Sequence, residues 1–363
     1  MNDGVRKGAS QLLARAAAAD VRADRRLGVA IDDVLLPDDA RLDDRARAAL
    51  ASLLTAIVAT IETALRQHAA RLLVARAEPE TAQLLLAPAV PVLDRLAAAG
   101  LVRDPELMRE LVGRVQQDLL AEALPVVAPD DPETPSLVAR LTGHVDHVVA
   151  AGAQAVLAAD SRRRSSDEGN APRTDLPAEL HHRLIWRVAA ALREAHEGAA
   201  GAAMPALDRA LAEAAQRNLA AHDEGERVEA AAMRLAAALD PQPAERPALL
   251  VETLGDRRLA LFIALLAHAL GFAYEQAREI VLDPAADRLW LVLRALDLPR
   301  EPIARIGLAL SEGDPRRDLE AFADAIDAIA ALTPEEARAA LAPLKLHPDY
   351  RAALLALARS KRR

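Results

Sequence analysis

With no cysteine in its 363 residues, the chain offers nine histidines as its most versatile chemical side chains. The lack of thiols removes disulfides, thiolate zinc sites and cysteine nucleophiles, and it fits a reducing compartment. His144 and His147, with Asp146 between them, are spaced so that one helical face could present two metal ligands. No third ligand accompanies them, and a zinc site needs three or four. Glu179 and His182 form a single Glu-x-x-His pair, whereas a di-iron bundle requires two such pairs and further glutamates. His196 and Glu197 begin a metalloprotease-like pattern whose second histidine would fall at Ala200, so the pattern fails. His268 stands in an apolar run and reads as a hydrogen-bonded core residue. Phosphate-binding P-loops, G-x-G-x-x-G turns and G-x-S-x-G elbows do not occur. The expectation is a protein with no metal, no cofactor and no enzymatic activity.

The densest polar group is Glu179, Leu180, His181, His182 and Arg183. Two adjacent histidines on a helix ordinarily straddle the boundary between core and solvent. The run is similar to the phosphoacceptor box of one class of bacterial histidine kinases, in which an acidic residue, a histidine and an arginine open a dimerising helix hairpin. That resemblance implies His182, with His181 as the second choice, as acceptor of a phosphoryl group, positioned by Glu179 or Arg183. Where those kinases continue with Val, Lys and Asn, this chain has Leu184, Ile185 and Trp186, and no glycine-rich nucleotide-binding domain follows. What the likeness leaves is a histidine phosphotransfer or degenerate, kinase-like dimerisation module.

A second pattern, LAHALGFAYEQAREIV over 266–281, places Ala267, Gly271 and Ile280 where a DNA-binding helix-turn-helix needs a small residue, a turn glycine and a core aliphatic. The would-be reading helix carries Tyr274, Glu275, Gln276, Arg278 and Glu279, and its two carboxylates oppose phosphate contact. Any tight helix pair uses the same turn chemistry.

These residues must be positioned by helices. Hydrophobic residues make up 52% of the chain, alanine and leucine dominate, and β-branched residues are sparse, so an all-α fold with a sizeable core is expected. Residues 259–270 are apolar on all sides, hence a buried helix, too short for a bilayer crossing of about 20 residues. Asp256 is expected to cap its start and Gly271 to end it in a left-handed turn. Helices are also expected over 10–18, within 36–73, and over 80–86, 90–98, 106–124 and 137–159. After the linker they are expected from 175 to about 197 and over 205–221, 224–239, 274–282, 285–296, 319–332, 334–344 and 348–358.

Residues 160–175, DSRRRSSDEGNAPRTD, form the best linker in the sequence. All seven aromatic residues lie beyond it, which predicts a domain over 1–159 packed with small aliphatics and a second over 176–363 with larger anchors. The second would consist of a hairpin, 176–221, and a stack over 224–358. Faint internal similarity, such as Phe272, Glu275 and Arg278 against Leu332, Glu335 and Arg338, suits a solenoid of helix pairs.

The acidic entry LPDDARLDD, the helix ending in RQHAARLL and the later LVRDPELMRELV resemble a family of all-helical bacterial proteins, mainly alphaproteobacterial, filed as a domain of unknown function. The likeness runs through about the first 125 residues and more loosely beyond. It implies helices and HEAT-like pairs, and no activity.

Net charge is −9, with 45 basic and 54 acidic residues mixed along the chain, which speaks against nucleic acid and anionic membranes as partners. The basic run from Arg359 to Arg363 is a small exception, read as solvated. The first 20 residues lack the apolar segment of a signal peptide, so a cytoplasmic location is expected. Together these features predict HEAT-like stacked helix pairs and hairpins in two domains. The expected function is that of a protein-binding scaffold or signalling adaptor, with a homodimer through 176–221 as one form of contact.

Overall fold

A computed structural model describes residues 42–87, 91–126, 135–164 and 174–347, together with helical positions 350, 353, 354 and 357. The expected helix over 10–18 lies outside these residues. The chain divides into two compact units, 1–47 and 48–363. Every regular element among the described residues is helical, as the composition predicts.

The first long helix, α1 (Asp44–Ala75), is followed by α2 (Pro79–Leu86), α3 (Val92–Ala98) and α4 (Pro105–Ala123). The sequence signal at the start of α4 is borne out: the Asp104 carboxylate accepts from the amides of Glu106 and Leu107, and Pro105 opens the first turn. The single helix expected over 137–159 is instead two, α5 (Leu137–Leu141) and α6 (His147–Arg164). The break has a local cause. Thr142 turns its hydroxyl back to the Ala139 carbonyl, and Asp146 accepts from the Val148 amide to start a new helix. Because α6 runs to Arg164, the first residues of the expected linker are helical.

Beyond it come α7 (Ala178–Ala200), α8 (Met204–Ala220), α9 (Val228–Leu239), α10 (Arg246–Gly255), α11 (Leu259–Leu270), α12 (Tyr274–Leu282), α13 (Asp287–Ala295), α14 (Arg300–Gly313), α15 (Leu319–Ala331) and α16 (Pro334–Leu341). The expected helical hairpin is α7 and α8, turned at Gly201, whose φ is +49°. No helix is expected from the sequence over 246–255, yet α10 forms there and packs on α11 and α14.

The apolar helix α11 is buried along nearly its whole length, including Leu259, Leu261, Phe262, Ile263, Leu265 and Leu266. Each such side chain contributes about 1.5–3 kcal/mol of transfer free energy. Its cover comes from α4, α9, α10 and α12. Gly271 ends it with φ +68°, as expected. Asp256 does not cap it; that carboxylate instead accepts from the Leu137 amide, 2.5 Å away, and so fastens α5.

The cores do not follow the expected boundary at 160–175. One gathers α9 to α16 around α11, but also takes Leu120 and Leu124 from α4, Leu137 and Val138 from α5, and Val149 and Val156 from α6. The other joins Ile61, Leu65 and Leu73 of α1 and Leu107 and Leu111 of α4 to Leu184, Val188, Leu207 and Leu211 of the hairpin. The buried aromatics Phe262, Phe272, Tyr274 and Phe322 all sit in the first. The difference in make-up is therefore real, but it separates layers of helices and not stretches of chain. Since α4 contacts α11, α12 and α14, packing is not confined to neighbours in sequence as it is in a solenoid.

Candidate functional site

The most elaborate polar arrangement lies where α4, α6, α9 and α12 converge. Glu110 of α4 stands between two guanidiniums, 2.6 Å from Arg227 and 2.6 Å from Arg278. Arg163, near the end of α6, makes a forked contact with Glu229 at 2.7 and 2.8 Å and reaches Asp175 at 2.8 Å. Arg114 donates to the Thr174 carbonyl at 3.3 Å and lies 3.7 Å from Asp175. The Tyr274 hydroxyl donates to Gln117 at 2.9 Å. Arg114, Arg163, Arg227 and Arg278 thus face Glu110, Asp118, Asp175 and Glu229, and the formal charges cancel.

Burial by itself would raise the Glu229 carboxyl, but Arg163 and Arg227 outweigh it and hold the group well below the usual carboxylate range. Burial, with Glu229 nearby, pushes the Tyr274 phenol well above its ordinary value. The network keeps Glu229 ionised and the Tyr274 phenol protonated, which is the condition of a structural clamp. None of its acids stands out in the sequence by motif or spacing. Their signal is positional: Glu110, Arg114 and Gln117 occupy the same helical stripe as the buried Leu107 and Leu111, where apolar residues belong.

The clamp positions α7. Asp175, with a left-handed φ of +54°, and Thr174 are held by Arg163 and Arg114. Thr174 in turn meets His181: its hydroxyl lies 2.8 Å from Nδ1. His181 Nε2 faces the side-chain Oδ1 of Asn218 at 3.1 Å, and its ring stacks on His222 with centroids 3.9 Å apart. His222 donates through Nε2 to the Leu176 carbonyl at 2.9 Å. Burial, reinforced by His222, lowers His181 to about 4. It is a neutral core histidine.

One residue further on, His182 is exposed, and the indole N–H of Trp186 donates to its Nε2 at 3.3 Å. Glu179 is exposed on the same side. Arg183 is engaged elsewhere, with Asp104 at 3.1 Å and with Glu106, while Arg187 holds Asp104 at 2.9 Å and the Leu101 carbonyl at 3.0 Å. The two arginines bolt α7 to the start of α4, leaving His182 and Trp186 as a fixed outer edge.

The other candidates fall to local roles. His144 Nδ1 accepts from the Asp146 amide, and Asp146 caps α6. His196 is buried and donates from Nδ1 to the Leu192 carbonyl at 2.8 Å. His268 is half-buried, 2.9 Å from Asp240. Among the described residues no group of three or more His, Asp or Glu side chains is arranged to hold a metal. In the pair over 266–281 the bend between α11 and α12 is 118°, and Tyr274 and Arg278 are buried in the clamp. The face left outward offers Glu275, Gln276 and Glu279, a poor match to phosphates.

Residues 168–342, a little under half of the chain, match a family described as an uncharacterised protein conserved in bacteria (DUF2336), a domain of unknown function. The matched segment is α7 to α16, and not the first 125 residues whose motifs carried the resemblance. No curated protein and no solved structure matches the chain.

Proposed function

We propose that the protein acts by contact, as a non-enzymatic cytoplasmic scaffold or signalling adaptor that binds another protein through the outer edge of α7. The observation that carries this reading is Trp186: the indole is 36% exposed, yet it is fixed by His182 on a helix that Arg183 and Arg187 clamp to α4. A rigid exposed tryptophan beside arginines is the kind of anchor on which interfaces concentrate their binding energy. The apolar side of the α7–α8 hairpin is already taken by α1 to α4, so a homodimer through 176–221 would have to use this same outer edge. The test is affinity purification of tagged wild type and Trp186→Ala from the native host, with mass spectrometry of what co-elutes. A partner retained by wild type and lost from an equally stable Trp186→Ala supports the reading. An identical set from both sinks it.

Phosphotransfer through His182 is the second reading, favoured by one fact: His182 is exposed where His181 is buried. Against it, Nε2 already accepts from Trp186, and Arg183 is engaged with acids of α4. Incubation with phosphorylated response regulators decides it. Acid-labile label that disappears in His182→Ala supports phosphotransfer, and an unlabelled wild type removes it.

A further inference from the structure

Positive charge collects where α8 meets α1. The Arg76 guanidinium, just past the end of α1, ion-pairs with Glu213 of α8 and ties the two helices together. One turn further along α8 stands Arg217, and one to two turns back along α1 stand Arg71 and His68. Arg71 is exposed and its Nη2 lies 3.4 Å from His68 Nδ1. Arg217 is exposed too, and among the described residues neither arginine forms an ion pair with an acid. The acid that acts on His68 is Glu213, already engaged by Arg76. Burial, Arg217 and Arg71 together hold the imidazole below its ordinary 6.5, against the opposing pull of Glu213. On a chain whose net charge is −9, this is a local positive field.

We propose that His68, Arg71 and Arg217 form a binding site for a phosphoryl dianion, either inorganic phosphate or a phosphate monoester. Two guanidiniums from different helices present forked donors that match phosphoryl oxygens. The imidazole adds a third donor. In the structure its ring is neutral, because Nδ1 accepts from Arg71 and a protonated ring could not. A dianion that draws Arg71 to itself frees Nδ1 and favours a proton there, so His68 turns from acceptor to donor as the ligand arrives. Binding is therefore coupled to proton uptake and strengthens as pH falls through the histidine range. A carboxylate fits less well: it brings one charge and two oxygens to three donors. The arginines lie open on the surface, so the group can arrive attached to a larger partner. The site is built by α1 and α8, not by the edge of α7 that carries Trp186, and the inference does not rest on the adaptor reading.

Histidine ring resonances of the full chain, followed by NMR at constant ionic strength, test it, with His68 assigned through His68→Gln. The probes are inorganic phosphate, a phosphoserine peptide with otherwise neutral side chains, and sulfate. Phosphate and phosphopeptide are both expected to move the His68 resonance saturably; tighter binding of the peptide identifies a phosphorylated protein as the source, and tighter binding of phosphate identifies the free anion. Sulfate stays a dianion throughout, so its affinity should rise by up to about tenfold as pH falls from about 8 to about 6, and His68→Gln should lose that rise. Arg71→Gln combined with Arg217→Gln should weaken phosphate binding at least about tenfold. Both positions are exposed and outside the cores, so an unchanged thermal midpoint is expected. Glu213→Gln removes the opposing acid and frees Arg76, and should tighten binding roughly threefold, a gain that unfolding cannot mimic. The proposal is overturned if chloride moves the resonance as far as phosphate does, if the double arginine variant binds as wild type does, or if the wild-type sulfate affinity is flat with pH.

Discussion

A side chain at Gly113 would place its Cβ 2.9 Å from Nε of Arg278. The glycine is a notch in α4, and through it the arginine of α12 reaches Glu110. In most helices Gly→Ala stabilises by up to about 1 kcal/mol, because glycine loses more backbone entropy on folding. Here the sign should reverse, since a guanidinium pinned and buried cannot swing aside. Urea denaturation is expected to show Gly113→Ala less stable than wild type by about 1–3 kcal/mol. The same change in an Arg278→Met background should cost markedly less, and equal costs in the two backgrounds would refute the notch.

Glu110 is the acid on which two buried guanidiniums depend. Glu110→Gln keeps the shape and one acceptor but removes the charge, leaving Arg278 uncompensated at 4% side-chain exposure and Arg227, at 8%, with Glu229 alone at 3.5 Å. A loss of about 3–5 kcal/mol is expected from denaturant midpoints, the usual cost of breaking one partner out of a buried pair. Charge reversal of an exposed pair such as Arg305 and Glu301 should cost under about 1 kcal/mol.

His181 sets the onset of acid sensitivity. Its folded value of about 4 lies below the ordinary 6.5, so the unfolded chain binds the proton more readily. Its contribution to stability is therefore complete above about pH 6.5 and is lost as pH falls toward about 4. Replacing His181 with Gln should flatten the stability profile in that window. A wild-type profile already flat between about pH 7 and pH 5 would contradict the assignment.

Gly307 of α14 lies against the ring of Phe322, which stacks on Trp290 with centroids 4.5 Å apart. A Cβ there would fall 2.2 Å from the ring. Gly307→Ala should displace Phe322 and cost about 1–3 kcal/mol, or more if the ring cannot move. With Trp186→Phe as background, Trp290 is the remaining tryptophan, and its emission should shift in Gly307→Ala.

The sequence made α11 legible because a helix that is apolar on every side has one place to go, and Gly271 marked its end. It made α10 invisible because Leu249, Leu250 and Leu254 are few and follow a proline-rich turn that resembles a loop. The clamp was hidden for a different reason. Charged residues form 27% of the chain, and Glu110, Arg163 and Glu229 look like any solvated face until the fold brings together positions 66 and more residues apart. The same non-local pairing defeated the expected boundary at 160–175, since composition marks a break in chain character and not in packing. At His181 and His182 the sequence offered a phosphoacceptor, His182 before His181, beside the ordinary reading of a pair that straddles core and solvent; burial puts His181 inside and His182 outside.

Because both cores draw on helices from either side of that boundary, the stretch that matches the bacterial family model is expected not to fold as a module by itself. Excised as 168–342, it would bare the side of α7 and α8 that lies on α1 to α4, and it would strip Glu110 from Arg227 and Arg278. Such a fragment would be sticky and poorly soluble on its own, and adding the preceding helices as a separate polypeptide should rescue it. Where evolution's recognisable unit stops and where cooperativity stops are, in this molecule, two different places.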